Sequence, residues 1–189
     1  MAAKEPATSY ARIVDAAEEC FARFGVAKTT VEDVALAAGM SRATLYRNFG
    51  GGRDELILAV FLRDIARFFD QNRFGPEVPE AVVDGIIDAV EFIRNEPRIA
   101  GLLVPEAVGH TQTVVNQASE RVLSLCADRI GPYFSLAQEA GMLRPGIEVE
   151  GTVEYLFRII ASLSLSPLQR TDEETRAFLR AYVLPSLIP

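Results

Sequence analysis

Cysteine and histidine are nearly absent. The 189 residues include two cysteines, Cys20 and Cys126, and one histidine, His110. The cysteines stand far apart and form no CxxC pair. This spacing argues against a disulfide framework and a Cys/His zinc site, and it suits a reducing compartment. Cys20 and Cys126 read as small buried hydrophobes. His110 has no partner at ligand spacing, so no metal is expected. No nucleophile motif and no glycine-rich loop after a strand pattern is present, so neither an enzyme nor a cofactor is expected. No apolar run reaches the ~18 residues of a membrane span, and the start shows no apolar signal core. The expectation is a cytoplasmic protein with no membrane partner. Strand alternation bounded by hairpin turns is also missing, which points to an all-α chain.

Acid is also missing from one arginine-bearing stretch near the start of the chain. The chain carries a net charge of −7, yet the fifteen residues Gly39–Arg53 contain Arg42, Arg47 and Arg53 and no Asp or Glu. Residues 1–53 sum to +1 and the remaining 136 to −8. An acidic body repels nucleic acid at long range, so a small basic face has to act locally and with strong salt dependence.

Residues 1–8 read as a frayed tail. From Ser9, Ile13, Ala16, Ala17, Cys20, Phe21 and Phe24 form one helical apolar stripe, closed by Gly25. Thr30 caps a short second helix, with Asp33 completing a capping box, and Val31, Val34, Ala35 and Ala38 face inward. Gly39 permits a sharp turn. Ser41 then caps a third helix, Arg42 to about Phe49, which buries Leu45 and Phe49. Two short helices joined by a tight turn behind a longer one make a helix-turn-helix. The third helix is acid-free because it is built to enter an electronegative groove. Gly50–Gly52 read as a flexible break, with Asp54 capping a fourth helix to about Asn72. Further helices follow. One opens at Pro79 and runs to about Asn95, a short apolar piece reaches Val104, and a long segment over 111–140 is expected to kink at Gly131–Pro132. Two more helices, Val149–Leu165 and Thr171–Leu184, close the chain. The domain reading is a helix-turn-helix unit over 1–53 and a second, helical unit over 54–189.

The pattern Ile13-Val14, Ala16-Ala17, Phe21, Phe24-Gly25, Thr29-Thr30-Val31, Val34-Ala35, Ala38-Gly39-Met40-Ser41, Ala43-Thr44-Leu45-Tyr46 and Phe49 resembles the N-terminal domain of TetR-type transcriptional regulators. The resemblance runs over about 45 residues. It implies an all-helical homodimer that binds a palindromic double-stranded DNA operator, usually as a repressor, and is released by a small molecule held in the C-terminal domain. Carried onto this sequence, it marks Ser41, Arg42, Ala43, Thr44, Tyr46, Arg47 and Asn48 on the third helix, with Lys28, Thr30 and Arg53 as backbone-positioning contacts. Arg42, in the first helical turn, is the expected base reader, because a guanidinium pairs bidentately with guanine. Thr44 meets a thymine methyl or a phosphate, Tyr46 a phosphate, and Arg47 phosphate or base. Two positions depart from the family pattern. Asn48 stands where Tyr or His is frequent. Gly52 stands where Lys is frequent, and Arg53, one residue later, is read as its replacement across a longer loop.

The resemblance also places Phe61, Phe68, Phe92, Leu103, Leu125 and Phe157 on helices that surround a pocket, each with plain core as the alternative. His110 is a pocket-lining or surface residue, and Gln117 and Arg121 are candidate polar anchors whose alternative is helix surface. The apolar bias suggests a hydrophobic effector. The closing helices are rich in apolar residues, among them Val153, Leu156, Ile160, Leu163, Phe178 and Tyr182, and a two-fold interface would cover them. A rival reading is a helical ligand-binding or protein-interaction module whose helix-turn-helix no longer binds DNA specifically.

Overall fold

The computed structural model describes residues 8–72, 75, 77–96, 112–166, 168 and 170–189, with only the backbone for 112–118. Every described element is helical. The chain forms two compact units, divided between Ile65 and Ala66.

The first unit begins with α1 (Ser9–Phe24), whose N-cap is Thr8, its hydroxyl accepting the Ala11 N–H at 3.2 Å. Thr8 is therefore an ordered cap rather than tail. Ile13, Ala16, Ala17, Cys20 and Phe21 are buried as the stripe predicts. Phe24 is not. At the helix end it stays 45% exposed, with the Arg23 guanidinium 5.0 Å from the ring centroid. Gly25 ends α1 at φ +81°, and a single 3₁₀ turn (Val26–Lys28) leads to α2 (Val31–Ala37). Thr30 and Asp33 form the complete capping box. Gly39, at φ +64°, closes α2 in a Schellman motif: its N–H reaches the Leu36 carbonyl and the Met40 N–H the Ala35 carbonyl. Arg12 of α1 donates to the Ala38 carbonyl at 2.9 Å, a cation at the negative end of α2. Ser41 then caps α3 (Arg42–Asn48), and Leu45 and Phe49 are fully buried, the latter stacked on Tyr10.

Gly50–Gly52 form a hydrogen-bonded turn rather than a flexible break. The Gly52 N–H binds the Phe49 carbonyl, the Gly51 N–H binds the Glu55 carboxylate, and Gly52 sits at φ +63°. α4 (Arg53–Gln71) starts at once, so Asp54 lies in its first turn and Gly52 takes the position expected for the cap. Glu55, one residue further along, has the reach to turn back on the loop N–H. Arg63 of α4 pairs with Asp15 and Glu18 of α1, each at 2.5 Å, and also donates to the Val14 carbonyl.

The second unit takes the end of α4, then α5 (Val78–Asn95), α6 (Gln112–Glu139), α7 (Val149–Leu165), α8 (Asp172–Phe178), a π turn (Leu179–Val183) and α9 (Leu184–Leu187). Its core gathers Val83, Ile86, Phe134, Val153, Leu179 and Val183. α6 continues as one helix through Pro132. Gly141 and Gly146, both at positive φ, punctuate the link to α7. The π turn precedes Pro185, which has no N–H for the carbonyl four residues back; the looser winding upstream of it fits that lost bond. It keeps Leu179, Val183 and Leu187 on the core side, and the closing segment extends past Leu184 to Leu187. Arg176 and Arg180 tie this segment to Asp84 and Glu80 of α5.

Candidate nucleic-acid interface

The interface rests on α3. Seven residues make barely two turns, too short to be stable alone. It is held by a cap at one end and two anchors beneath. The Ser41 hydroxyl accepts the Thr44 N–H at 3.2 Å and lies 3.0 Å from the Thr44 hydroxyl. Leu45 and Phe49, one turn apart, are both at 0% exposure, so the opposite face is forced outward. That outward face carries Arg42, Ala43, Tyr46 and Arg47, all exposed, with Thr44 half-buried at its edge.

The side chains are not equally free. Arg42 is paired with Glu32 of α2 at 2.6 Å. Arg47 makes no ion pair among the described residues. The Asn48 amide donates to the Thr44 carbonyl at 2.7 Å and so closes its own helix. Tyr46 lies over the glycine turn, where a Cβ at Gly52 would come 3.3 Å from its ring. The ring would have to give by a few tenths of an ångström to admit a side chain there.

The flanking residues form a second group. Lys28 is exposed at the end of the 3₁₀ turn. The exposed Thr30 hydroxyl donates to Asp33 at 2.6 Å. These hydrogen bonds from the Thr30 side chain and backbone hold the Asp33 carboxyl below the usual carboxylate range. Arg53 is half-buried, and its guanidinium donates to the Val26 carbonyl at 2.6 Å and the Thr29 carbonyl at 3.2 Å. Thr29, just before, is buried and donates to the carbonyls of Cys20 and Gly25. The 26–30 connection is thus fixed from both sides, with Lys28 and Thr30 facing outward.

Sequence reasoning missed Glu32 and Arg12. Glu32 lies ten positions before Arg42, a separation with no helical meaning. Only the turn between α2 and α3 brings the two together.

In the second unit, Phe68 stacks on Phe92 with ring centroids 5.0 Å apart and meets the edge of Phe69. Phe68 and Phe69 border a cleft of about 550 Å³, together with Asn72, Glu80, Asp84, Asp88 and Arg176. Burial, and secondarily Asp84, push the Asp88 carboxyl upward. Of the other pocket candidates, Phe61 is buried in the first unit, Leu125 and Phe157 are half-buried, and Arg121 is exposed. Leu103, His110 and the Gln117 side chain lie outside the described residues, as does the short apolar piece expected to reach Val104. Among the candidate interface residues, Val153 and Leu156 are buried in the unit's own core, Ile160, Leu163 and Phe178 are half-buried, and Tyr182 is 71% exposed. No helix among the described residues is long and apolar enough to cross a membrane.

A capped short helix, anchored by two buried residues behind a Schellman turn and exposing arginines and a tyrosine, defines a helix-turn-helix DNA-binding protein. Comparison with known proteins gives the family. Residues 13–60 match the model for bacterial regulatory proteins of the tetR family. The chain is 30% identical over 120 residues to the HTH-type transcriptional regulator TtgW of Pseudomonas putida, covering 59% of this chain and 87% of that one. Its fold is similar to the TetR family transcription regulator SCO0332, with a TM-score of 0.72 at 22% identity over 96% and 99% of the two chains. It is also similar to Thermus thermophilus FadR, a repressor solved with lauroyl-CoA, with a TM-score of 0.59 at 22% identity over 95% and 96%. The chain belongs to the TetR family. It is a DNA-binding transcriptional regulator and not an enzyme.

Proposed function

We propose that the chain is a cytoplasmic homodimeric repressor that binds a palindromic operator and is released by a small molecule held in its second unit. The observation that carries the DNA side is the outward face of α3, which presents Arg42, Tyr46 and Arg47 above Leu45 and Phe49 with no acid of its own. In this reading Arg42 reads a base edge, Thr44 touches a thymine methyl or phosphate, and Tyr46 and Arg47 meet the backbone. Ser41, Ala43 and Asn48 stay close enough to the duplex to exclude bulkier groups. Arg53 holds the 26–30 connection, so that Lys28 and Thr30 meet phosphate, and its remaining N–H groups are available to the same strand.

The dimer surface is drawn from Ile160, Leu163, Phe178 and Tyr182, with exposed Leu165 and Leu168 extending it. Two recognition helices one DNA turn apart, ~34–36 Å, would then read the two half-sites. The effector sits against Phe68 and Phe69. A cleft of about 550 Å³ suits a small organic molecule, and the rings favour an apolar body. The described lining carries Glu77, Glu80, Asp84 and Asp88 against one arginine. That balance disfavours an anionic thioester such as the lauroyl-CoA bound by FadR. α4 supplies Arg53 and Arg63 to the first unit and Phe68 and Phe69 to the cleft, so a shift of this helix on ligand binding would carry the signal.

The test is selection of duplexes from a random pool by the purified chain, followed by salt titration of the selected sequence. Enrichment of an inverted repeat with a steep salt slope is expected, and Arg42→Ala should erase preference at one base pair per half-site. Absence of enrichment above non-specific binding would overturn this reading in favour of a module whose helix-turn-helix no longer recognises sequence.

A further inference from the structure

The second and third residues of α2 are both acids, but they do different work. Asp33 is engaged in the capping box with Thr30. Glu32 takes no part in that cap. Its carboxylate instead reaches across the turn to Arg42, the first residue of α3, at 2.6 Å. The pair sits in the open, with side chains 50% and 63% exposed. Such a pair adds little to folding stability. The other exposed cation of this face, Arg47, has no such partner among the described residues.

An acid placed beside the base-reading arginine opposes DNA binding in general. It cancels one positive charge where phosphates approach, and every cancelled charge weakens sequence-independent attraction. The same contact has a second effect on Arg42. It occupies one terminal nitrogen of a planar guanidinium with five N–H donors, which leaves donors for a bidentate pair with guanine. An exposed arginine otherwise samples many rotamers, and restraining it beforehand lowers the cost of ordering it on DNA. Specificity is a difference of affinities. A carboxylate that weakens binding to any backbone and holds Arg42 ready for one base edge widens that difference from both sides.

We propose that Glu32 is a specificity-determining positioning residue, which acts through Arg42 to suppress non-specific binding and orient the base-reading guanidinium. The inference rests on the reading of Arg42 as base reader. The test uses the full chain and three duplexes: the selected operator, the same operator with the Arg42-dependent base pair replaced, and an unrelated sequence. Affinities are measured by fluorescence anisotropy across a salt series for wild type, Glu32→Gln, Arg42→Ala and the double variant. Thermal melting confirms that each folds, and the Thr30–Asp33 cap is untouched in all of them.

Glu32→Gln should bind the unrelated duplex more tightly, with a salt slope steeper by about one unit. Its ratio between the operator and the base-replaced operator should fall by about three- to tenfold, part of the full contribution of a bidentate arginine. In Arg42→Ala the same Glu32 change should leave that ratio unmoved. Equal tightening on all three duplexes would overturn the proposal, since Glu32 would then only repel DNA. Unchanged affinities would overturn it as well. A ratio that Arg42→Ala leaves intact would instead refute the reading of Arg42 itself, a failure visible without the Glu32 variants.

Discussion

Two neighbouring glycines should respond oppositely to the same substitution. Gly52 has φ +63°, and a Cβ there would meet the Tyr46 ring at 3.3 Å. Gly50 has no positive φ, and a Cβ there would meet nothing within 4 Å. Gly52→Ala places an L-residue in the left-handed region, at a cost of about 1–2 kcal/mol. The ring adds less, because Tyr46 is 43% exposed and can swing outward by a few tenths of an ångström. Gly50→Ala removes only unfolded-state freedom, so it should be neutral or stabilise by up to ~1 kcal/mol. Gly51→Ala falls between them, with its Cβ 3.2 Å from that of Glu55. The assay is native-state hydrogen exchange over peptides spanning 42–56, which reports opening of the first unit independently of the second. A loss near 1.4 kcal/mol reads as about tenfold faster exchange. In the proposed interface, the same Gly52 substitution moves the Tyr46 hydroxyl and should weaken operator and unrelated DNA together. Equal losses for Gly50→Ala and Gly52→Ala would refute the reasoning, since a flexible joint would treat the two alike.

Two further outcomes follow from titrating groups. The Thr30 hydroxyl and N–H hold Asp33 below its ordinary 3.8, so the cap's contribution is fully present above that value and is lost as pH falls through the lower folded one. The Thr30 amide shift in an NMR pH titration should have its midpoint below 3.8, and a midpoint at or above it would contradict the capping geometry. Burial pushes the Cys126 thiol up to about 11, so at pH 8 roughly one part in a thousand is thiolate. Cys20 is raised in the same direction, chiefly by burial. An aromatic disulfide reagent at pH 8 should therefore label neither thiol until denaturant is added. Rapid stoichiometric labelling of the folded chain would show that these are reactive cysteines rather than packing residues.

Much of the first unit was legible in the sequence because its signals are local. A cap, a box and a glycine turn each depend on residues within five positions, as at Ser41, Thr30–Asp33 and Gly39. The buried Leu45 and Phe49 follow from helical period alone. Phe24 shows where period fails: it lies on the stripe, yet at the helix end it stays 45% exposed. The glycine turn shows another limit. Three glycines suggest freedom, while the hydrogen bonds from Gly51 and Gly52 remove it.

The sequence by itself determined the class of unit, the helix that faces outward and the residues that anchor it, since each is written in short-range period and capping chemistry. Tertiary structure alone decided which partners the arginines take. It paired Arg42 with Glu32, turned Arg53 onto the carbonyls of Val26 and Thr29, and set Arg63 against Asp15 and Glu18. It also placed Val153 and Leu156 inside the second unit's own core while leaving Tyr182 exposed. The reason is geometric. A long side chain chooses its partner among whatever helices land within its reach, and an apolar stripe does not say which neighbour will cover it.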